Sequence, residues 1–523
     1  MSTYRTLALL LLLSLAGTGW AQSPSFYTEL DQKLPRESNK EFQFLAFFYN
    51  HAVGTNVYPQ NDFLRGQVIG RMFGANTTVT SDSLRAGYFE QRILPFFIYS
   101  PKLFNGKAVL RSSFEIDWTW GDVAYGSGGN SGSAPSGDQV NIQTQNVELE
   151  LIPKAGWAVN LGLQRMYDTP HNPYRTWFET LLNTSYRLNY WGTDGVGISV
   201  RRDADYYKWK AGFYKLYENN IQENDDVTLM DFNYRRALGM RWHWGGSLTH
   251  VRDRANGEGG PSVLGQGLNS TLADYNGSFR FRFANGAPYK ADIFWIGSYF
   301  SYNEPQVLDR IFATGYLNYN LGRVQLNEND EWVNGPSIGG LGANLRFGYR
   351  YGQTVLDAVY TDLIYTTGDQ NGIADDRYSG VLTGNTWATP GGLHVSHGGY
   401  LLFPHANVVN RYVAAVTDIS NQGYGMTGLS INASRSLVPH KLTGKVGLVS
   451  ALSNAIPNGG GNQMGLEANA NLVYQLGVFM SLELHGAYLW LGDFYDSQLV
   501  NGGLPTRPTN PYTAFLAFRW LMF

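Results

Sequence analysis

The strongest constraint in this sequence is a two-residue alternation of apolar and polar side chains that recurs along most of the chain. In residues 110–120, for example, Phe114, Ile116, Trp118 and Trp120 are separated by polar or charged residues. The same alternation returns at residues 206–214, 278–283, 341–351 and 466–472. Because successive side chains of a β-strand point to opposite faces, this pattern predicts strands with one apolar and one polar face.

Two architectures could use such strands: a soluble β-sandwich, whose polar face meets water, and a transmembrane barrel, whose apolar face meets lipid. The segments are about ten to twelve residues long, whereas soluble strands average roughly 5–6 residues. Aromatic residues cluster at segment ends, as at Phe96, Phe97, Trp242 and Trp244, where a barrel has its interfacial girdles. We therefore expect one all-β antiparallel transmembrane barrel of roughly 18 strands, within a range of roughly 16 to 20.

The bulk composition agrees with a barrel and excludes several other classes of protein. Mean hydropathy is only −0.26, and no run after the N-terminus approaches the roughly 20 apolar residues that a spanning helix needs. The formal net charge of −3 argues against nucleic acid as a partner. The chain has no Cys, so disulfides, thiolate metal sites and a lipidated Cys are excluded.

The N-terminus has the parts of a secretory signal peptide. Arg5 supplies a positive charge, an apolar run follows, and Gly19-Trp20-Ala21 places small residues where signal peptidase cleaves. The sequence therefore divides into a signal peptide, a periplasmic lead-in and one barrel, at residues 1–21, 22–41 and 42–523.

The last twelve residues, Tyr512 to Phe523, form one strand length that is rich in aromatic side chains and ends in Phe. They resemble the closing strand of Gram-negative outer-membrane β-barrels, whose terminal Phe is read by the barrel-assembly machinery. A strand in lipid cannot leave its backbone groups unpaired, so we expect this strand to close onto the first one. Arg519 shares a face with Leu521 and Phe523, and we expect it either to reach a lipid headgroup or to turn inward at a bulge.

Short and long connections between strands occur together in this chain. Tight turns are predicted at Asn105-Gly106, Ala284-Asn285-Gly286, Val438-Pro439-His440 and Leu476-Gly477. Long polar loops are predicted at residues 121–138, 252–273, 367–393, 452–463 and 492–511. Short periplasmic turns at one end and long extracellular loops at the other are typical of outer-membrane barrels, and we expect this arrangement here. Strict up-and-down alternation fails between residues 284 and 340, so some apparent strands there must belong to loops.

If the apolar face meets lipid, the other face lines the interior, and its middle strands are rich in basic residues. The candidate pore-lining residues on this face are Arg92, Arg111, Lys208, Lys210, Arg241, Arg280, Arg282, Arg346 and Arg350. Rings of Arg and Lys attract anions and bind carboxylates. The alternative is that acidic residues on neighbouring strands neutralise these bases, so that the charges stabilise the barrel wall and do not bind a solute.

Residues 156–201 resemble the alginate-export family of outer-membrane porins. The resemblance lies in Gly162-Leu163-Gln164-Arg165, in Tyr174-Arg175-Thr176-Trp177 and in Gly192-Thr193-Asp194-Gly195-Val196. Here Arg follows Gln where the family has the reverse order, and Thr193 replaces the aromatic residue before Asp194. The resemblance implies a large monomeric porin with a positively charged constriction for polyuronates and loops that gate it. It carries over only Arg165 and Arg175, whose alternative roles are loop packing and turn capping.

Two polar stretches follow in the longest loop. Asp369, Asn371 and Asp375 surround a Gly and offer oxygen ligands that suit Ca²⁺, although the spacing lacks the EF-hand Glu. The alternative is a solvated acidic loop without a cofactor. His394, His397 and His405 flank an apolar run and could be strand-end groups or part of a loop that folds into the pore mouth.

The sequence predicts a passive outer-membrane channel for small hydrophilic, anionic solutes, with uronate-containing saccharides as one class. Its other expected partners are outer-membrane lipid, including lipopolysaccharide, and the barrel-assembly machinery through Phe523. One alternative is a sheath for a partner that crosses the outer membrane, such as a multihaem cytochrome or a secretion component, and a loop inside the barrel would count against it. A second is a hydrolase at the barrel rim, but no Gly-x-Ser-x-Gly or His-Glu-x-x-His motif occurs, so we expect no enzyme.

Overall fold

The computed structural model describes most of the chain after its first forty residues. The described residues are 41–59, 78–120, 141–166, 193–217, 226–256, 283, 287–303, 308–382, 388–389, 392–393, 398–403, 419–477 and 479–522. The predicted signal peptide, nearly all of the lead-in and Phe523 therefore lie outside the described residues, and those predictions stay predictions. No helix in the described part is long and apolar enough to cross a membrane.

Eighteen of the described strands form one antiparallel barrel, which confirms the predicted fold class. Its 18 strands are β1 (Phe42–Thr55), β2 (Ala86–Tyr99), β3 (Ala108–Trp120), β4 (Asn141–Leu151), β5 (Trp157–Met166), β6 (Thr193–Asp203), β7 (Tyr207–Tyr217), β8 (Val227–Ala237), β9 (Trp242–Asp253), β10 (Tyr289–Tyr302), β11 (Ile311–Glu328), β12 (Glu331–Arg350), β13 (Ala358–Thr366), β14 (Met426–Val438), β15 (Leu442–Ser453), β16 (Gln463–Gly477), β17 (Met480–Leu491) and β18 (Tyr512–Met522). Shorter strands lie in the connections: Val57–Pro59 pairs with Thr78–Thr80, Ala388–Thr389 pairs with Gly392–Leu393, and Arg377–Tyr378 lies parallel to a barrel strand.

Each strand pairs with its neighbours in the chain, and the last strand closes the ring. β18 pairs with β1 in an unbroken antiparallel register that runs from Ala46 opposite Met522 to Thr55 opposite Thr513. The other edge of β1 pairs with β2, from Phe42 opposite Tyr99 onward. The predicted closure of the terminal strand onto the first is confirmed, and no barrel strand is left with an open edge.

Connections alternate between two rims, which we call the short-turn rim and the long-loop rim. The turns at Asn105, His440 and Gly477 lie on the short-turn rim, as the sequence predicted. One connection on the long-loop rim is also short, because Asn329 and Asp330 join β11 to β12 directly with φ angles of 54° and 68°. This hairpin explains why strict alternation fails in the sequence between residues 284 and 340.

The apolar face of most strands points outward, as predicted, and Arg519 shows where the interpretation was wrong. Arg519 points into the barrel with Phe515 and Ala517, and it is almost fully buried. The outward face of β18 instead carries Leu516 and Trp520. No register shift occurs between β18 and either neighbour. Arg519 therefore points inward without a bulge, and it does not reach a lipid headgroup. Both faces of β18 are apolar, and alternation alone could not identify the outer one.

Large apolar side chains cover part of the inner wall of β1, β2, β17 and β18, beside buried polar groups such as His51 and Arg519. Phe47, Phe96, Leu489 and Phe515 point inward there and belong to one buried cluster. Burying large apolar side chains inside a barrel is stable only if something packs on them, since each would otherwise meet water. In this structure the same buried cluster includes residues 400–403 of the loop between β13 and β14, together with Phe494, Tyr495 and Val500 of the loop before β18.

The turn between β10 and β11 gives a first testable prediction. Asn303 is fully buried with a φ of 53°. Its amide donates to the carbonyls of Asp309 (2.7 Å) and Ile311 (2.8 Å) and accepts from the backbone N–H groups of Leu308 (2.6 Å) and Asp309 (3.1 Å). We expect Asn303→Ala to lower the free energy of unfolding by about 2 to 4 kcal/mol, through lost hydrogen bonds and a strained backbone.

Denaturant titration of the detergent-solubilised barrel measures this loss. The matched control is Asn303→Gly, which removes the same hydrogen bonds but tolerates the positive φ, and it should lose less stability than the Ala variant. An Ala variant as stable as the native chain would contradict this account of the turn.

Candidate functional site

The loop between β13 and β14 enters the barrel and contacts its inner wall. Residues 398–403, which we call the inner segment, contain Tyr400, Leu401, Leu402 and Phe403, and all four are completely buried. The sequence singled out this stretch as a loop that could fold into the pore mouth, and the structure confirms that its described part does so. His394, His397 and His405 themselves lie outside the described residues.

A single carboxylate on the wall holds the backbone of the inner segment. Oε1 of Glu467 accepts from the N–H of Tyr400 (2.8 Å), and Oε2 accepts from the N–H groups of Leu401 (2.8 Å) and Leu402 (2.9 Å). Asn469 donates to Glu467 (2.8 Å) and to the carbonyl of Gly398 (2.6 Å). Charge-assisted hydrogen bonds of this kind are about twice as strong as neutral ones, so Glu467 acts as a latch.

The side chain of Tyr400 extends the latch to a buried charged group on β17 and β18. Its hydroxyl hydrogen-bonds Nδ1 of His485 (2.7 Å) and accepts from Asn471 (3.1 Å). Nε2 of His485 lies 2.9 Å from Glu483, which also pairs with Arg519 at 2.9 Å. One chain of hydrogen bonds and ion pairs therefore joins the loop to the wall.

Two glycines allow the inner segment to approach the wall closely. A Cβ on Gly398 would collide with the side chains of Asn432 and Ser430, and one on Gly428 would collide with the ring of Phe403. Because both positions meet packed neighbours, any larger residue must displace the inner segment or the wall. On the wall, Gly428 leaves the space that the ring of Phe403 occupies.

The same loop contacts the wall at a second place, nearer its start. The indole N–H of Trp295 on β10 donates to the carbonyl of Leu382 (3.0 Å), and the N–H of Leu382 donates to Asn320 on β11 (3.0 Å). Trp295 and Asn320 are both fully buried. The loop is thus anchored at two places, one on β10 and β11 and the other on the wall from β14 to β17. At both places it occupies part of the barrel interior.

The inner wall of β6 to β8 carries a group of four basic residues that we call the basic patch. Its members lie opposite one another across the strands: Arg201 faces Lys210, and Lys208 faces Arg235. Acidic residues flank it, since Arg201 lies 3.2 Å from Asp203 and Lys210 lies 3.7 Å from Asp231.

Beside the patch, Arg111 on β3 shares a carboxylate with Arg201. Glu150 lies 3.2 Å from Arg111 and 3.0 Å from Arg201, and its side chain is only 1% exposed. Buried bases need such partners, because an uncompensated charge in the wall would be costly. The structure thus brings Arg111, Lys208 and Lys210, three predicted pore residues, into one charged wall in which acids offset most of the positive charge.

The predicted bases on β12 both contact protein groups. Arg346 forms a two-pronged pair with Asp362 on β13, at 2.6 Å and 3.1 Å. Arg350 lies over the ring of Phe312 and donates to the carbonyl of Asp309 in a turn. Their predicted role in lining the pore stays a prediction.

Two other predicted bases lie apart from this wall. Arg241 lies in a turn on the short-turn rim, where it pairs with Asp309 at 3.1 Å. Arg92 points inward from β2 and is 2% exposed. Arg175, Arg280, Arg282 and the side chain of Arg165 lie outside the described residues, and their predicted roles stay predictions.

The predicted Ca²⁺ ligands lie together in one turn of the longest loop. Asp369 accepts from the N–H groups of Asn371 (2.9 Å) and Ser379 (2.7 Å), and Asp375 accepts from that of Arg377 (3.0 Å). These carboxylates therefore cap the backbone of the turn. Within the described part of the chain, no three His, Asp or Glu residues form a group suited to a metal ion. The Ca²⁺ assignment stays a prediction.

The sequence did not reveal which carboxylates of the wall hold the inner segment. Glu467 and Glu483 were recognisable only as inward charges, and nothing marked Glu467 as a ligand of backbone N–H groups. The available signal was the apolar run from Tyr400 to Phe403 within a polar loop, since such a run must be buried somewhere.

Comparisons with known proteins give structural likenesses only. No protein-family model matches the chain, and no curated protein sequence does. A BenF-like porin from Pseudomonas fluorescens Pf-5 is 10% identical with a TM-score of 0.49, and the match covers 92% of this chain and 99% of that one. OccK2 (OpdF) of Pseudomonas aeruginosa in complex with glucuronate is 11% identical with a TM-score of 0.47, over 92% and 98%. OccAB4 of Acinetobacter baumannii is 9% identical with a TM-score of 0.45, over 92% and 98%. The fold assignment therefore rests on the strand pairing of this chain itself.

Proposed function

We propose that this protein is a passive channel for small hydrophilic solutes across a Gram-negative outer membrane. The observation that carries the proposal is a closed barrel with the inner segment latched to its wall, so that one loop narrows the interior. A barrel of about this size leaves an aqueous lumen, and an inward loop converts a wide lumen into a size-selective path. Planar-bilayer recording of the refolded chain tests the proposal, which predicts steady conductance steps.

The membrane location is supported by the outward face of the barrel. Leu317, Leu345, Leu363 and Leu448 are all at least 40% exposed on successive parts of that face. A contiguous belt of exposed apolar side chains is unfavourable in water and favourable in lipid. With the signal peptide predicted from residues 1–21, this belt supports outer-membrane insertion and the predicted contact with its lipid.

A preference for anions is supported by the basic patch, although the flanking acids make it modest. We expect Lys208→Gln with Arg235→Gln to lower the anion-to-cation permeability ratio about threefold, because two positive charges leave an aqueous path whose low-dielectric walls focus their field. Reversal potentials under a salt gradient measure the ratio.

The matched control for this change is the double variant Arg346→Gln with Asp362→Asn, which removes both members of a neutral ion pair and leaves the net charge of the wall unchanged. We expect this control to leave the ratio unchanged. An equal shift from the control, or no shift from the patch variant, would contradict a role for the patch in selectivity.

Uronate-containing saccharides are the solute class that we propose to test first. The resemblance of Gly162 to Arg165 to the alginate-export porins and the basic patch both support a carboxylated solute. The test is block of the open channel by oligouronates, with the uncharged saccharide of equal length as control. Block by both, or by neither, would contradict this specificity.

The two alternative functions have less support. A sheath for a crossing protein needs a wide interior, and the inner segment occupies part of it, which counts against that function. A rim hydrolase needs convergent catalytic groups, and no observation favours it.

A further inference from the structure

A second charged surface lies on the outside of the barrel, at the long-loop rim of β9 to β11. We call it the rim cluster, and it consists of Arg252, Arg254, Lys290 and Arg323. Arg252 lies opposite Asp292 on β10, and Asp292 lies opposite Arg323 on β11. These side chains share the outward parity of the strands, so the cluster faces away from the channel path.

The rim cluster begins where the apolar belt ends. Below it, on the same outward face, lie Leu248, Ile296 and Leu317, each exposed by 45% to 51%. From Ile311 to Leu321, β11 spans roughly 33 Å at about 3.3 Å per residue. With the usual strand tilt this corresponds to an apolar band of roughly 25 Å. Arg323, the next outward residue, is therefore at the level of lipid headgroups.

The cluster has more positive charge than its neighbours in the described part of the chain neutralise. Asp292 forms an ion pair with Arg254 (2.5 Å) and lies 3.3 Å from His250. Neither Arg252 nor Arg323 has an ion-pair partner among the described residues. Glu328, Asp330 and Glu331 lie farther along β11 and its hairpin, and no ion pair joins these described residues to the cluster.

Aromatic side chains lie against Lys290 and against the imidazole beside Asp292. The ammonium group of Lys290 lies 3.9 Å from the centre of the Trp332 ring. His250 stacks on Phe294 with ring centres 4.2 Å apart. Fixed cations above an apolar surface present both chemistries of an acylated, phosphorylated lipid at once: guanidinium groups for the phosphates and an apolar wall for the chains.

We propose that the rim cluster binds the phosphorylated headgroup of the outer-leaflet glycolipid, lipopolysaccharide. The inference rests on the outer-membrane location proposed above. Arg252 and Arg323 approach the phosphates from either side of Asp292, while Lys290 lies beside them on Trp332. Basic clusters at the membrane interface bind anionic headgroups in this way. The cluster is confined to three adjacent strands, so it forms one lipid site on the barrel.

Binding of fluorescent bisphosphorylated lipid A to the detergent-solubilised barrel tests the proposal. We expect the native chain to bind it and the triple variant Arg252→Gln, Lys290→Gln and Arg323→Gln to bind at least about tenfold more weakly. Removing the phosphates from the lipid should weaken native binding to the same extent. The matched control is Arg236→Gln, an outward cation at the short-turn rim, which should leave affinity unchanged.

Three results would overturn the proposal. One is equal affinity of the triple variant and the native chain. Another is an equal loss in the Arg236→Gln control, and the third is displacement of lipid A by an equal concentration of inorganic phosphate, which would indicate a simple anion site. Arg323→Gln alone, checked for folding by heat-modifiable migration, should give a partial loss and guards against misfolding of the triple variant.

The lipid result and the channel result can be separated. Conductance is recorded in bilayers of phosphatidylcholine, where no lipopolysaccharide is present. A silent channel with native lipid A binding would contradict the channel function alone. If the channel conducts and the triple variant binds lipid A as tightly as the native chain does, only the lipid site would be contradicted.

Discussion

Replacing Glu467 by Ala is expected to raise single-channel conductance about twofold or more and to make the open state noisy. The variant removes the acceptor of three backbone N–H groups in the inner segment. Hydrogen bonds to a charged group contribute roughly 1.5–3 kcal/mol each, and the donors would be left buried without a partner. The inner segment should then leave the wall and widen the path. Planar-bilayer recording of the refolded variant measures both the step size and the noise.

Tyr400→Phe is the matched control for this change. It removes the hydroxyl that contacts His485 and Asn471 but keeps the backbone N–H that Glu467 binds. We expect its conductance to stay close to that of the native chain. Native conductance in Glu467→Ala, with the barrel folded, would mean that the inner segment does not limit the path.

Replacing Glu483 by Ala is expected to lower the free energy of unfolding by about 3–5 kcal/mol. The change leaves the guanidinium of Arg519, whose side chain is 4% exposed, without the carboxylate that lies 2.9 Å away. It also removes a partner of His485 and of Ser481. Denaturant titration of the solubilised barrel, followed by heat-modifiable migration, measures the loss.

A double variant separates the orphaned charge from lost packing. Glu483→Leu with Arg519→Met replaces the ion pair by apolar groups of similar size, which is often nearly neutral for a buried pair. We expect it to recover most of the stability that Glu483→Ala loses. A double variant as unstable as the single one would show that the cost lies in the shape of the wall and not in the buried charge.

The sequence predicts most of the barrel, and the reasons are physical. Lipid on one side and polar groups on the other force strict alternation, as at Leu345 and Arg346 on β12, so strand positions and their outward faces are legible. Closure follows because no edge can be left open in lipid. The strand count and the pairing of β18 with β1 were correct for these reasons.

Alternation fails as a guide wherever both faces of a strand are apolar. Arg519 was placed on the outer face because Leu521 shares its parity, yet the inner wall there also carries apolar side chains, in the same buried cluster as the inner segment. The sequence could not reveal this, because the contact joins residues far apart in the chain. The same holds for Glu467, whose partners lie 65 to 67 residues away.

The basic residues show a second limit of sequence reasoning. Parity placed Arg111, Lys208, Lys210 and Arg346 correctly on the inner face. Whether a base meets a solute or an acid depends on the neighbouring strand, and that register is not visible in one sequence. Arg346 and Asp362 lie directly opposite each other, so their pairing is fixed by the register of β12 and β13.

Single-channel recording of the native chain in a planar bilayer tests the central claim most directly. We predict steady conductance steps that scale with salt concentration, with a reversal potential that indicates a modest preference for anions. A folded barrel that conducts nothing in repeated bilayers, while its heat-modifiable migration shows an intact structure, would contradict a passive channel narrowed by the inner segment.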